Sequence, residues 1–304
     1  MSQPASAVPR LAFIVLAHHQ TKQLARLLRR LNKAGWPIYL HLDRKMREIP
    51  YSETVVEVSR LPHVDLLRRH RCHWGGWGIV RATLAGLNAA LSAPEPFDHL
   101  FLLSGQCYPI KTDRELLAFS EANRGKSWVQ TYPVPSGHAW QTENGGLDRF
   151  ARRHYPDVPT ALARRLFRVA ARRGYTPALS TPPNLPLFGG SQFWGLSHEA
   201  AQYVQDFCSN RPEVVRFFRH AAIPDEHFFQ TILGGSPLAN DGKIHCQTPH
   251  HLLWDEGTSR PSVLTLDHLP ELLASERVFA RKFDEKISVE LREALDARNK
   301  VSRA

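Results

Sequence analysis

No stretch of this 304-residue chain approaches the roughly 18 consecutive apolar residues that a membrane-spanning helix requires. Met1 to Arg10 also lacks the apolar core of a secretory signal. The expectation is a protein made and kept in the cytoplasm, with peripheral contact to an acidic membrane surface left open. Cysteine is scarce: four, at positions 72, 107, 208 and 246, with no C-x-x-C pair. That pattern fits neither a disulfide framework nor a zinc site, so reduced thiols are expected. The glycine fingerprints of nucleotide enzymes are missing too. Gly76-Trp77-Gly78 would need glycine at position 81, which is Arg81, to read as G-x-G-x-x-G. Gly125-Lys126-Ser127 has Ser120 where a phosphate-cradling loop needs glycine. Dehydrogenase and P-loop NTPase chemistry are thereby set aside. Finally, no Asp-x-Asp pair occurs anywhere.

Positive charge, by contrast, is plentiful. The formal net charge is +10 and the pI near 9.7. Such a balance suits an anionic partner: nucleic acid, acidic lipid or a phosphorylated small molecule. Arginines concentrate between 149 and 173, with Arg149, Arg152 and Arg153 at the start of the run. Zinc-finger spacing, RNP-type aromatics and a basic zipper are all absent, so nucleic acid is not the expected partner.

The length suits one large α/β domain or two closely joined ones. Leu11 to Ala17 is an apolar run of strand length, the kind buried on both faces of a parallel sheet. Leu24, Leu27, Leu28 and Leu31 follow at helical spacing, and Ile38 to Leu42 is the next strand. This βαβ unit ends in Asp43, at a strand's carboxyl end, where open sheets bind ligands. Asp43 is read either as a base or ribose contact or as a turn residue. A less regular segment then leads to His73-Trp74-Gly75-Gly76-Trp77 and a helix over 79–91. Here glycines allow close backbone approach and tryptophans offer stacking faces. Phe97 to Ser104 is a further buried strand, and Thr112 with Glu115 forms a capping box for a helix through Phe119. Ser127 to Tyr132 reads as a strand, 133–186 as a loop-rich basic excursion with a helix near 160–173, and 187–196 as a strand leading to Ser197 as a cap. Ser262 to Leu264 reads as a short strand, Asp267 as the cap of a helix to Leu273, and 287–298 as an amphipathic terminal helix.

Three clusters carry candidate chemistry. Pro224-Asp225-Glu226 opens a helix with an apolar stripe at 228, 229, 232 and 233. One of its carboxylates is a candidate general base on a hydroxyl; the alternative is a solvated pair capping the helix dipole. Gly189-Gly190-Ser191-Gln192-Phe193-Trp194 offers a pocket wall. Arg281-Lys282 sits between two phenylalanines, and a partly buried cation there calls for an anion such as phosphate.

Read together, these blocks resemble the core-2/I-branching β-1,6-N-acetylglucosaminyltransferases and the related peptide O-xylosyltransferases. The resemblance runs through Ile14-Val-Leu-Ala-His-His19, His41-Leu-Asp-Arg-Lys45, Trp74-Gly-Gly76 and Leu102-Leu-Ser-Gly-Gln-Cys-Tyr-Pro-Ile-Lys-Thr112. It continues through Gly190-Ser-Gln-Phe-Trp194, Pro224-Asp-Glu-His-Phe228 and Phe279-Ala-Arg-Lys-Phe-Asp284. All stand in the family's order, from about residue 11 to 285. The resemblance implies a nucleotide-sugar-binding, Rossmann-like α/β fold of GT-A type, with a mostly parallel central sheet flanked by helices. It implies a single glycosyltransferase domain: a nucleotide half over 11–132, the excursion over 133–186, an acceptor and catalytic half over 187–285, and a terminal helix over 286–304.

The implied reaction is an inverting transfer of GlcNAc or xylose from a UDP-sugar to a glycan, lipid-linked or protein hydroxyl, with no cofactor and no divalent metal. Glu226 takes the place of the family's base, Lys282 with Arg281 and Arg260 that of its diphosphate cations, and Asp43 that of its uridine contact. Trp74, Gly105, Gln192, Trp194 and Asp225 fall around the donor or acceptor pocket. Trp254, Arg149, Arg152 and Arg153 fall on the acceptor side. One departure stands out: the family usually has aspartate where this chain has Cys107. A second reading follows from it, that of a catalytically inactive relative whose basic face binds nucleic acid or acidic lipid.

Overall fold

The computed structural model describes residues 8–137, 144–158, 160–179, 184–255, 257–258 and 260–303. Its frame is β1 (Leu11–Ala17), β2 (Ile38–Leu42), β3 (Val64–Leu66) and β4 (His99–Ser104). Around these lie β5 (Tyr108–Pro109), β6 (Ser127–Trp128), β7 (Tyr132–Val134) and β8 (Leu187–Gly189), then β9 (Gly195–Ser197), β10 (Ile244–His245), β11 (His250–Leu252) and β12 (Phe279–Arg281). The central sheet runs β10-β6-β9-β4-β1-β2-β3. Only β9 is reversed in it, pairing antiparallel with both β4 and β6. A second sheet, β11-β12-β5, and a two-stranded pair, β7-β8, lie beside it.

The sequence explains the frame directly. Every residue of β2 is buried, as is all of β1 but Leu16 and all of β4 but Ser104, because helices cover both faces of a parallel sheet. The helix Thr21–Asn32 buries Leu24, Leu27, Leu28 and Leu31 against it. Trp77–Leu91 packs on β1 and β2 from its own apolar side. The Thr112–Glu115 capping box forms as its spacing demands, with both reciprocal bonds present. Ser197 caps His198–Asn210 by accepting from the Ala200 amide. The terminal helix, Val289–Arg303, is pinned by ion pairs from Arg298 to Glu115 and from Arg26 to Asp296. Among the described residues, no helix is long and apolar enough to cross a membrane.

Several local expectations need correction. The less regular segment contains the helix Glu48–Val58 and strand β3. Pro50 in its first turn, few buried side chains and an exposed edge strand left no periodic signal there. The expected strands over 127–132 and 187–196 each split in two, and their halves join different sheets. Leu264 and Ser262 bond to the Lys282 backbone without forming a regular strand. Thr265, with His268, makes the capping box expected of Asp267. The helix expected from Pro224 is a 3-10 turn, Pro224–Glu226, followed by a helix over Phe228–Gly234. Its stripe of Phe228, Phe229, Ile232 and Leu233 is nevertheless buried as the spacing required.

Candidate active site

The carboxyl ends of β1 and β2 open on a cleft of about 380 Å³ lined by His18, His19, Gln20, Lys45, Met46 and Glu285, among others. Gln20 adopts a left-handed backbone, φ 55°, uncommon outside glycine. Its side chain compensates by bridging to the C-terminal segment: Nε2 donates to Asp284 Oδ2 at 2.7 Å, and Oε1 accepts from the Glu285 amide at 3.2 Å. That bridge brings the segment after β12 to the end of β1, and Lys282 with it. Burial, and then the neighbouring charges of Arg281 and Arg260, depress the Lys282 pKa. His19 is lowered by burial and then by Lys282; His18 is lowered to about 4 by burial and then by His19. Both imidazoles, stacked 4.0 Å apart, are thus neutral near pH 7.

Asp43 is buried at the end of β2. Its Oδ1 accepts from the Lys45 amide at 2.8 Å and the Cys72 amide at 3.4 Å, and Lys45 Nζ stands 3.5 Å from Oδ2. It is therefore both the turn residue and a charged group beside the cleft. Cys72 begins a stretch that leads straight to the second half of the site. Gly75, at φ 69°, accepts from the Ile223 amide at 3.1 Å. Cys72 and Gly75 are three residues apart, so the stretch between the Asp43 contact and the Ile223 contact spans at most about 11 Å from one Cα to the other.

That turn is tightly held. Ile223 is left-handed at φ 49°, a strained conformation for a β-branched residue. The Gly190 amide donates to the Glu226 carbonyl at 2.9 Å. A Cβ on Gly190 would sit 1.9 Å from the Gln130 carbonyl oxygen, so the position admits only glycine. Gly190→Ala should destabilise the fold by about 1–3 kcal/mol through overpacking and loosen the Glu226 turn; urea unfolding and an activity assay on the same sample would check both.

Glu226 keeps its side chain 35% exposed, and Arg149 Nη1 donates to its Oε2 at 2.6 Å. The same Nη1 lies 3.1 Å from His227 Nε2, while His227 Nδ1 lies 3.2 Å from the Phe188 carbonyl. The pattern assigns one tautomer: Nδ1–H donates to the carbonyl and Nε2 accepts from arginine. Burial, then Arg149, hold His227 neutral, its pKa lowered to about 3.

Asp225 is different. It is buried, and its Oδ1 has no hydrogen-bond partner among the described residues. Burial, and then adjacent Glu226, push its pKa up to about 7. The folded protein thus retains a proton that the unfolded chain surrenders above about pH 4. Stability from this group is full below that pH and falls as pH rises to about 7, by roughly 4 kcal/mol in all. Asp225→Asn should therefore gain stability over the parent at about pH 8 relative to about pH 5. Urea midpoints of both proteins at both values test this, and the difference cancels the buried histidines, which act in the opposite sense. An equal gap at the two pH values would remove the assignment.

The remaining expected residues separate into groups. Trp74 and Trp254 are exposed, Gln192 is half-buried, and Arg260 is exposed near Lys282. Gly105, buried after β4, gives its amide to Leu16 of β1. Trp194 is fully buried, packed on Phe229 at 5.4 Å, and is core rather than pocket wall. Arg281 turns inward over the Phe193 ring, 4.6 Å from its centre, and lies beside buried Cys107. Lys282, the next residue, is half-buried and lies near enough to His18 and His19 to lower both imidazoles. Arg152 donates to the Gly174 and Thr176 carbonyls and so braces the excursion. Arg153 gives its amide to Pro177. Sequence reasoning assigned no role to His18, His19, Gln20 or His227; the place of the first three directly after β1 was the available signal. Among the described residues, no group of three His, Cys, Asp or Glu side chains is arranged to hold a metal.

A mostly parallel seven-stranded sheet, with a cleft at the carboxyl ends of its strands lined by the stacked His18 and His19, defines an α/β protein of the open-sheet class. The chain matches the Core-2/I-Branching enzyme family over residues 11–273 and belongs to that family of glycosyltransferases. It is 27% identical over 306 residues to Xylosyltransferase oxt of Drosophila pseudoobscura pseudoobscura, covering 90% of this chain and 32% of that protein. It is 27% identical over 319 residues to Xylosyltransferase 2 of Rattus norvegicus, covering 97% and 34%. The chain thus spans about a third of the length of these curated relatives. Among solved structures, the apo form of mouse xyloside xylosyltransferase 1 aligns over 88% of this chain and 97% of its own, at 13% identity and a TM-score of 0.36, a likeness on which nothing here depends.

Proposed function

We propose that this chain moves GlcNAc or xylose from a UDP-sugar to an acceptor hydroxyl, with inversion and without a divalent metal. Glu226 removes the acceptor proton as the oxygen attacks the anomeric carbon. The bond to the diphosphate breaks on the opposite face, and UDP leaves carrying the electron pair. Lys282, with Arg260 nearby, neutralises the charge that grows on the diphosphate. Asp43 and the neutral imidazoles receive the uridine end. The observation that carries the reading is the Glu226 turn, partly exposed and bound through its backbone from Gly75 and Gly190. Arg149 supports it further, because its Nη1 donates to Glu226 Oε2 at 2.6 Å and fixes the direction of the carboxylate. Its role is to position Glu226 rather than to contact the acceptor. Exposed Trp74 and Trp254 offer faces on which an acceptor or donor sugar stacks.

The missing Asp-x-Asp pair is the reason for giving the leaving-group role to cations of the chain itself. UDP release from a panel of UDP-sugars, with and without EDTA, tests the whole proposal. Hydrolysis confined to one donor names it, and loss on chelation overturns the metal-free step. The acceptor is a glycan, lipid-linked or protein hydroxyl, and peripheral contact with an acidic membrane belongs to the same reading; nucleic acid does not. Cys107 favours one alternative, an inactive anion-binding relative, because a neutral thiol now stands beside Arg281. That alternative predicts strongly salt-dependent binding to duplex or acidic vesicles without UDP affinity.

A further inference from the structure

The helix Ala161–Arg172 stands out on the molecular surface. Surface helices normally turn apolar residues inward, yet here Leu162 is 67% exposed, Leu166 60% and Val169 42%. Their spacing, i, i+4 and i+7, sets them in one stripe within about 60° of arc at 100° per residue. The helix rests on the body through a different line. Phe167 meets the Tyr155 ring at 4.8 Å, and Ala163, Ala170 and Ala171 are half-buried. Exposed Tyr175, just past the helix end, adds an amphipathic ring to the same region.

Charge decides what covers this face. Arg165, Arg168 and Arg173 are exposed. Arg165 falls on one edge of the leucine stripe and Arg168 one step farther round on the same side, while Arg173 lies just past the helix end in line with the stripe. Acidic residues are absent from 161–173. An apolar strip with guanidinium groups along one side and at its C-terminal end, on a chain of net charge +10, matches an interface that is anionic at its surface and apolar just beneath. A bilayer with acidic headgroups is that interface. A protein partner would have to supply matching carboxylates around an apolar groove, and nothing on this surface selects for one.

We propose that this helix docks the protein on an acidic membrane surface, lying in the headgroup plane with Leu162, Leu166 and Val169 inserted and its arginines on lipid phosphates. The inference deepens the membrane-contact part of the reading above and is independent of its chemistry. On such a surface the enzyme would meet a lipid-linked acceptor in two dimensions instead of three.

Sedimentation with vesicles of phosphatidylcholine, alone or mixed with phosphatidylglycerol, tests it on the full chain. The parent should bind the mixed vesicles. The double variant Leu162→Gln/Leu166→Gln should bind at least about tenfold more weakly, since each inserted leucine contributes on the order of 1 kcal/mol or more. Arg165→Gln/Arg168→Gln should lose a similar factor at low salt, at about 1 kcal/mol per arginine. All four positions are exposed, so unchanged thermal midpoints should accompany the losses. UDP affinity, measured in parallel, should stay the same, which separates failure here from failure of the transfer reading. Equal vesicle binding by parent and leucine variant overturns the proposal. So does a parent that ignores vesicles but dimerises through these leucines, or one whose arginines bind duplex DNA instead.

Discussion

Glu226→Gln is expected to lower transfer by about 10²–10⁴-fold, the usual worth of a positioned general base, while UDP affinity stays within about twofold. The substitution is nearly isosteric, and the turn is secured through the backbone by the Ile223–Gly75 and Gly190–Glu226 bonds, which a side-chain amide leaves intact. The new Oε1 still accepts from Arg149 Nη1, so the local geometry has no cause to collapse. Only the basicity goes. Turnover measured with a saturating donor, beside calorimetry with UDP, separates the two quantities: the loss belongs in kcat. A Glu226→Gln protein with full turnover would return this carboxylate to the role of a helix-start residue. Arg149→Met offers a companion test, since it leaves Glu226 present but unclamped. It should reduce turnover less than Glu226→Gln does.

Lys282→Ala should cost about 10²–10³ in turnover, as expected for removal of one preorganised charge at a developing anion, and should weaken UDP binding as well. That combined signature sets it apart from Glu226→Gln. Burial and the charges of Arg281 and Arg260 lower the Lys282 pKa, so its proton leaves at a lower pH than that of an ordinary lysine. Activity carried by this cation should accordingly decline on the alkaline side earlier than a free lysine would dictate, and Lys282→Arg should carry the decline to higher pH, because guanidinium stays protonated. Bound UDP would push the lysine pKa back up, so the shift is sought in kcat/KM, which reports the free enzyme. A Lys282→Ala protein that retains parental turnover and UDP affinity would remove the lysine from the site.

Much of this was legible in the sequence for identifiable reasons. β1, β2 and β4 announce themselves because burial on both faces leaves them no polar alternation. The Thr112–Glu115 box is a local motif whose two bonds lie within one helical turn, so spacing alone specifies it. The ordered blocks located the family because each is a short stretch of unusual composition. Strand splitting over 129–131 and over 190–194 was not legible. It arises where two distant backbones approach to a distance that only glycine allows, and apolar patterning records burial but not which sheet a strand joins.

Neighbouring residues of one type made the sharpest contrast. Arg281 and Lys282 read alike as cations between phenylalanines, yet one turns onto Phe193 beside Cys107 and the other into the field of His18 and His19. Asp225 and Glu226 read alike as first-turn acids, yet one is buried and holds its proton to about pH 7 while the other meets Arg149 at the surface. Trp74 reads as a stacking face and Trp194 as pocket wall, yet Trp194 is core and Trp74 is open to solvent.

The sequence by itself determined the parallel frame, the Thr112 and Ser197 caps and the family, since each is written in residues close together in the chain. Tertiary structure alone decided which acid is buried and which is exposed, which cation turns onto Phe193, and that Arg149, 77 positions away, clamps Glu226. The physical reason is that a side chain's charge state and direction depend on what is packed around it, and those neighbours are brought together by the fold rather than by proximity along the chain.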